Sequence, residues 1–175
     1  MQTLATPDEL LTLLARQIQT LLDERAIDEP LMVGIQTGGV WVATQLHQQL
    51  KIAEPLATLD ISFYRDDFSR IGMNPKVKPS HLPPDVEDRH IILVDDVIHT
   101  GRTIRAAMNE LFDSGRPASI ILACLIDRGG RELPLQADII GQRIELKDGE
   151  HIKLSGPQPL NFEILQHTSK NVSAG

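Results

Sequence analysis

Ile91-Ile-Leu-Val-Asp-Asp-Val-Ile-His-Thr-Gly-Arg-Thr103 is the stretch on which the reading of this sequence turns. Ile91 to Val94 form a short, wholly apolar run, the pattern of a strand buried on both faces. Asp95 and Asp96 then stand at its end, and His99-Thr-Gly-Arg-Thr103 makes a small-residue turn into a helix from Arg102 to Ser114, stopped by Gly115 and Pro117. Paired carboxylates at a strand end can accept hydrogen bonds from the neighbouring hydroxyls of a ribose. The N–H groups and hydroxyls of Thr100 to Thr103, at a helix N-terminus, can surround a phosphate. An acidic strand end before an ordinary capped helix accounts for the Asp pair alone, but not for the whole string.

Working outward, strands and helices alternate. Thr6-Pro-Asp-Glu9 has the form of a capped helix start, and Leu10, Leu11, Leu14, Ile18, Leu21 and Leu22 recur on one face until about Arg25. Leu31-Met-Val-Gly-Ile35 reads as a second buried strand, followed by the turn Thr37-Gly38-Gly39 and a helix from about Val40 to Leu50. Leu56 to Tyr64 and Ala118 to Ile126 read as further strands, and Ala137 to Ile140 and Gly149 to Leu154 as short added ones. The polar segment over residues 65–80 is long for so small a chain and is expected to be a lid. His167 to Gly175 is expected to fray. Apolar strands separated by helices predict an α/β fold, a mostly parallel sheet with helices on both faces and the functional site at the carboxyl ends of the strands.

At roughly 150 residues per domain, 175 residues predict a single domain. The 41% hydrophobic content excludes a disordered chain, and a net charge of −7 with 3% aromatic residues argues against a general single-strand nucleic-acid platform. Cys124, the lone cysteine, lies within an apolar run, where burial is expected rather than reactivity. The N-terminus lacks a signal-peptide pattern and no run approaches the ~18 apolar residues of a membrane span, so a cytoplasmic protein is expected. Gly34-Ile-Gln-Thr-Gly-Gly39 has the glycine spacing of a Walker loop, but Val40 stands where a lysine is required. A phospho-receiver domain is disfavoured as well, because two apolar strands precede the acidic pair and too little chain follows it.

The string from Ile91 to Thr103 resembles the 5-phosphoribosyl-1-pyrophosphate (PRPP) signature of type I phosphoribosyltransferases. Leu59-Asp-Ile-Ser-Phe-Tyr-Arg-Asp-Asp-Phe-Ser69, Arg102-Thr-Ile-Arg-Ala-Ala-Met108, Gly115-Arg-Pro-Ala118 and Asp127-Arg-Gly-Gly-Arg-Glu-Leu-Pro134 resemble the pyrimidine operon regulator family within that class. The resemblance runs from about Asp8 to Ile164. It implies the type I phosphoribosyltransferase fold, with a flexible lid over residues 65–80 and a small hood over residues 127–165. The implied activity is transfer of the phosphoribosyl group of PRPP to uracil, giving UMP and pyrophosphate, together with regulation of pyrimidine biosynthesis genes.

On that resemblance Asp95 and Asp96 engage the ribose hydroxyls, Thr100, Gly101, Arg102 and Thr103 hold the 5′-phosphate, with His99 just before them as a further substrate-binding residue, and Thr37, Gly38 and Gly39 meet the pyrophosphate. Tyr64 and Arg65 close over the substrate from the lid, and uracil lies between Ile98 and the stretch from Asp127 to Ile140. Mg²⁺ is implied, bound mainly through the oxygens of PRPP. No His or Cys cluster suggests zinc, and no protein metal ligand is expected. A homodimer or homotetramer is implied, with the N-terminal helix either between subunits or in the core. Arg131 is the implied RNA contact. Family members often carry Arg at the position of Gly38, Tyr at that of His99, His at that of Gly130 and Arg at that of Gln136, and they present polar residues where Leu14 and Ile18 stand. The alternative reading is a UMP-sensing regulator, acting on RNA or on a protein partner, with weak or no catalysis.

Overall fold

In the computed structural model, residues 3–61, 80–83 and 85–166 are described. The residues 62–64 at the end of the expected strand, the expected lid apart from Ser80, and the terminal stretch from His167 lie outside them. A five-stranded parallel sheet carries the molecule, in the order β2-β1-β3-β4-β5. Its strands are β1 (Leu31–Ile35), β2 (Ala57–Leu59), β3 (His90–Ile98), β4 (Ser119–Asp127) and β5 (Ile139–Arg143). The helices are α1 (Pro7–Glu24), α2 (Gly38–Leu50) and α3 (Arg102–Asp113), and β6 (Glu150–Ser155) pairs antiparallel with β7 (Asn161–Gln166) in a separate hairpin.

Alternation within the strands divides the core in two. Ile92 and Val94 of β3, Met32 of β1 and Ile121, Ala123 and Leu125 of β4 face α1 and α2. Ile91 and Leu93, Leu31, Val33 and Ile35, with Leu122 and Cys124, face α3 through Ile104, Ala107 and Leu111. Helices therefore cover both faces, as the runs of apolar strand residues predict. The α1 start is a capping box: the Glu9 N–H donates to Thr6 Oγ1 at 3.3 Å, and the Thr6 N–H donates to Glu9 Oε2 at 2.9 Å. Its apolar stripe lies in the core of its own chain, with Leu14 and Ile18 fully buried. Each such leucine or isoleucine contributes about 1.5–3 kcal/mol. Leu14 and Ile18 are thus packing residues and carry no information about an RNA-binding surface.

Several boundaries differ from expectation. β3 continues past the carboxylates, because Asp95 pairs with Cys124, Val97 with Ile126 and Ile98 with Asp127, so the acidic pair lies within the strand rather than at its end. α2 starts at Gly38, two residues early, since its first turn consists of the glycines read as a loop. β5 starts at Ile139 and runs on to Arg143. β7 goes unread in the sequence: five of its six residues are exposed, so its apolar residues mark no buried face. The hairpin is tied to the main body by Ile152, Leu154 and Leu160, which join the α1–α2 core.

Candidate active site

The carboxyl ends of β1 and β3 bring together the two segments expected to meet the sugar and the pyrophosphate. Thr37 is the N-cap of α2 and makes no side-chain cap hydrogen bond. Gly38 and Gly39 follow, and neither has room for a side chain. A β-carbon on Gly39 would stand 2.6 Å from the Val94 carbonyl oxygen and 3.1 Å from Asp95 Oδ1; one on Gly38 would fall on Asp96 Oδ2. The absence of these carbons lets the first turn of α2 lie directly against the acidic pair. Asp95 is 2% exposed, and its Oδ1 accepts the Asp96 N–H at 2.9 Å; the Asp96 side chain is half-buried.

From Ile98 the chain turns into α3. Gly101 is its N-cap in the left-handed region, φ +91°, without a side-chain cap, and Thr100 Oγ1 accepts the Arg102 N–H at 3.2 Å. Thr100, Gly101, Arg102 and Thr103 therefore surround a helix N-terminus, the arrangement that suits a phosphate. Arg102 itself is joined through Nε to Glu132 Oε2 at 2.6 Å.

Asp127 ends β4 and is buried; its Oδ1 accepts the Gly129 N–H at 2.9 Å, and its Oδ2 meets the Arg131 guanidinium at 2.9 Å. Burial by itself raises the carboxyl pKa, but the hydrogen bonds from Arg131 and Gly129 and the charges of Arg131 and Arg143 outweigh it and hold the group below its ordinary value. A cavity of about 370 Å³ lies beside it, lined by Asp127, Gly129, Arg131, Gln136, Arg143 and Ile144 among others.

Two sequence expectations change here. Ile140 sits on the edge strand and lines a groove with Arg16, Thr20 and Leu21 of α1 instead of the Asp127 cavity; the apolar wall there is Ile144, four residues on. Continuing β5 to Arg143 carries the chain up to the level of Asp127, and a sequence reading that ends the strand at Ile140 cannot find this. Arg131 points inward: besides Asp127, it donates to the His99 carbonyl at 2.8 Å and to the Leu135 carbonyl at 2.8 Å. An exposed RNA-facing cation is not what the geometry gives. Tyr64 and Arg65 lie outside the described residues. Glu132 and Ile144 went unnoticed in the sequence; only the Arg102 ion pair and the extended β5 bring them to the site.

No group of three or more His, Cys, Asp or Glu that could hold a metal ion exists among the described residues. Two carboxylates facing a phosphate-type loop fit a hard, oxygen-seeking divalent cation that takes most of its ligands from a substrate, and do not fit a protein-caged metal. No helix of the described residues is long and apolar enough to cross a membrane.

The fold and this pair of anion-facing loops define a phosphoribosyltransferase, and residues 6–155 match the phosphoribosyl transferase domain family. The chain is 55% identical over 159 residues to "Bifunctional protein PyrR" of Nitrosococcus oceani, covering 90% of each, and 53% identical over 161 residues to that of Pseudomonas aeruginosa, covering 92% of this chain and 95% of the relative. It belongs to the PyrR family of type I phosphoribosyltransferases. Among solved structures, hypoxanthine phosphoribosyltransferase of Trypanosoma cruzi shares the fold with TM-score 0.69 at 17% identity, over 95% of this chain and 97% of that one. A purine phosphoribosyltransferase from Pyrococcus horikoshii is 26% identical, TM-score 0.60, over 79% and 82%.

Proposed function

We propose that this chain transfers the phosphoribosyl group of PRPP to uracil, producing UMP and pyrophosphate, and that UMP in the same site serves as the signal through which it regulates pyrimidine biosynthesis genes. The observation that carries the reading is the seating of the Asp95–Asp96 pair on the Gly38–Gly39 turn, beside the N-terminus of α3. Ribose hydroxyls, a 5′-phosphate and a diphosphate are the groups such a constellation suits.

In this reaction N1 of uracil forms a bond to the anomeric carbon as the bond to pyrophosphate breaks, and the N1 proton is lost to water or to a neighbouring base. Positive charge builds on the sugar ring. No protein nucleophile is needed, and the work of the protein is positioning and electrostatic stabilisation. Asp95 and Asp96 orient the ribose through its hydroxyls, and their negative charge favours the cationic ring. The N–H groups and hydroxyls of Thr100 to Thr103 hold the 5′-phosphate. Backbone groups of Thr37, Gly38 and Gly39 receive the leaving diphosphate. Tyr64 and Arg65 shield the ring from water. Asp127 bounds the uracil subsite, with Ile144 as its apolar side, while Ile98, expected there from the sequence, is buried in the core on the α3 side and supports the turn by packing. A Mg²⁺ ion held mainly by PRPP oxygens would supply charge neutralisation to the leaving group, next to the Asp95–Asp96 pair. Assembly as a homodimer or homotetramer and a cytoplasmic setting belong to the same proposal.

The test is conversion of labelled uracil to UMP by purified protein with PRPP and Mg²⁺, with hypoxanthine and cytosine in parallel and Asp95→Asn as control. Uracil-selective turnover lost in the variant supports the reading. UMP binding without turnover in the unaltered chain overturns the catalytic half and leaves a UMP sensor. Regulation through RNA predicts UMP-dependent binding to a pyrimidine-operon leader transcript that weakens steeply with salt; salt-insensitive or absent binding removes RNA as the partner.

A further inference from the structure

The phosphate turn and the loop after β4 are joined residue by residue. The Ile98 carbonyl accepts the Arg128 N–H at 3.2 Å, and the Thr100 carbonyl accepts the N–H groups of Glu132 and Leu133 at 2.9 and 3.1 Å. Between these two contacts, His99 Nδ1 is hydrogen-bonded to the Gly129 carbonyl at 2.8 Å. Since a carbonyl only accepts, Nδ1 carries the proton. The His99 ring lies over Gly130, where a β-carbon would stand 2.6 Å from Cε1 and 2.9 Å from Nδ1; Gly130 has φ +73°. The imidazole can reach Gly129 only because position 130 has no side chain.

We infer that His99 and Gly130 form a clasp that holds the base-side loop, residues 128–133, in register with the phosphate turn, so that a ligand ordering one subsite orders the other. The expectation that His99 is a substrate-binding residue changes here: its ring is turned onto the Gly129 carbonyl, and His99 is a positioning residue acting through Gly129, distinct from the groups that touch substrate. The inference rests on the proposed placement of phosphate and uracil on either side of this seam, whereas the clasp itself rests on geometry alone. A gap between the two loops would let the uracil subsite drift relative to the anomeric carbon while leaving PRPP capture intact.

The experiment uses His99→Ala, His99→Asn, Gly130→Ala and the double variant His99→Ala/Gly130→Ala in the full-length chain. Amide hydrogen exchange at Glu132 and Leu133 in the free protein reads the clasp without any turnover. His99→Ala should speed it by about two- to tenfold, the scale of one hydrogen bond, and His99→Asn, whose side-chain N–H can reach the same carbonyl, should restore it. Gly130→Ala, which also strains a left-handed backbone position, should speed it at least as much as His99→Ala, and the double variant should not exceed Gly130→Ala. In assays the uracil KM should rise about two- to tenfold in His99→Ala, with kcat and the PRPP KM nearly unchanged. Exchange unaltered in His99→Ala, or fully additive effects of the two substitutions, overturns the clasp. If the unaltered chain turns over no uracil while exchange responds as stated, the functional reading fails and the clasp stands.

Discussion

The Asp96 carboxylate rests against Gly38, with Oδ2 in the place where the first carbon of any side chain at position 38 would begin. Read from the sequence, Gly38 is a missing cation in a pyrophosphate loop. In the structure it is the empty volume that the carboxylate fills. Gly38→Ala should displace either Asp96 or the first turn of α2, and kcat/KM for PRPP is expected to fall by about 100-fold, the scale of a 1 Å misplacement, with an unchanged far-UV circular dichroism spectrum. An unaltered kcat/KM would show that this contact has no part in the site.

Cys124 sits in β4 opposite Asp95 and is fully buried. Burial, together with the negative charges of Asp95 and Asp96, pushes its thiol well above the ordinary value. The thiolate is the nucleophile, so Cys124 should resist iodoacetamide from neutral to mildly alkaline pH and react only after denaturation. Rapid labelling of the folded protein would contradict this.

Asp127 predicts a pH dependence with a definite sign. Its carboxyl is held below its ordinary value, so it contributes stability that is fully present above the unfolded pKa of about 3.9 and lost as pH falls through the lower folded one. Urea unfolding from pH 6 down to pH 2.5 should show an acid limb of instability below about pH 4. Asp127→Asn should flatten that limb and, at pH 7, cost about 2 kcal/mol, the scale of a hydrogen bond to a charged group. Parallel limbs in the two proteins would remove Asp127 as a source.

Leu14 tests whether the N-terminal helix belongs to the core or to a subunit interface. It has no exposed surface within its own chain and packs beside β5 at Gly141. Leu14→Ala should therefore lower stability by about 3 kcal/mol through the cavity it leaves, by the same amount at every protein concentration. A loss that grows on dilution would place the helix between subunits.

The sequence by itself determined the alternation of strands and helices, the parallel sheet and the segment that holds the acidic pair and the phosphate turn. These are local properties: apolar runs, the Thr6–Glu9 cap, the glycines before α2 and the order Asp95-Asp96-…-Thr100-Gly-Arg-Thr103 are all written in neighbouring residues. Only the tertiary structure decided what lies across from each of them. That β3 continues through Asp96, that Gly38 is filled by a carboxylate 58 residues away, that Arg131 turns inward onto Asp127, and that Ile144 takes the place expected of Ile140 are consequences of strand register and of contacts between distant segments. Residue type fixes which groups can accept a hydroxyl or a phosphate; which groups face one another is set by how the sheet brings its carboxyl ends together.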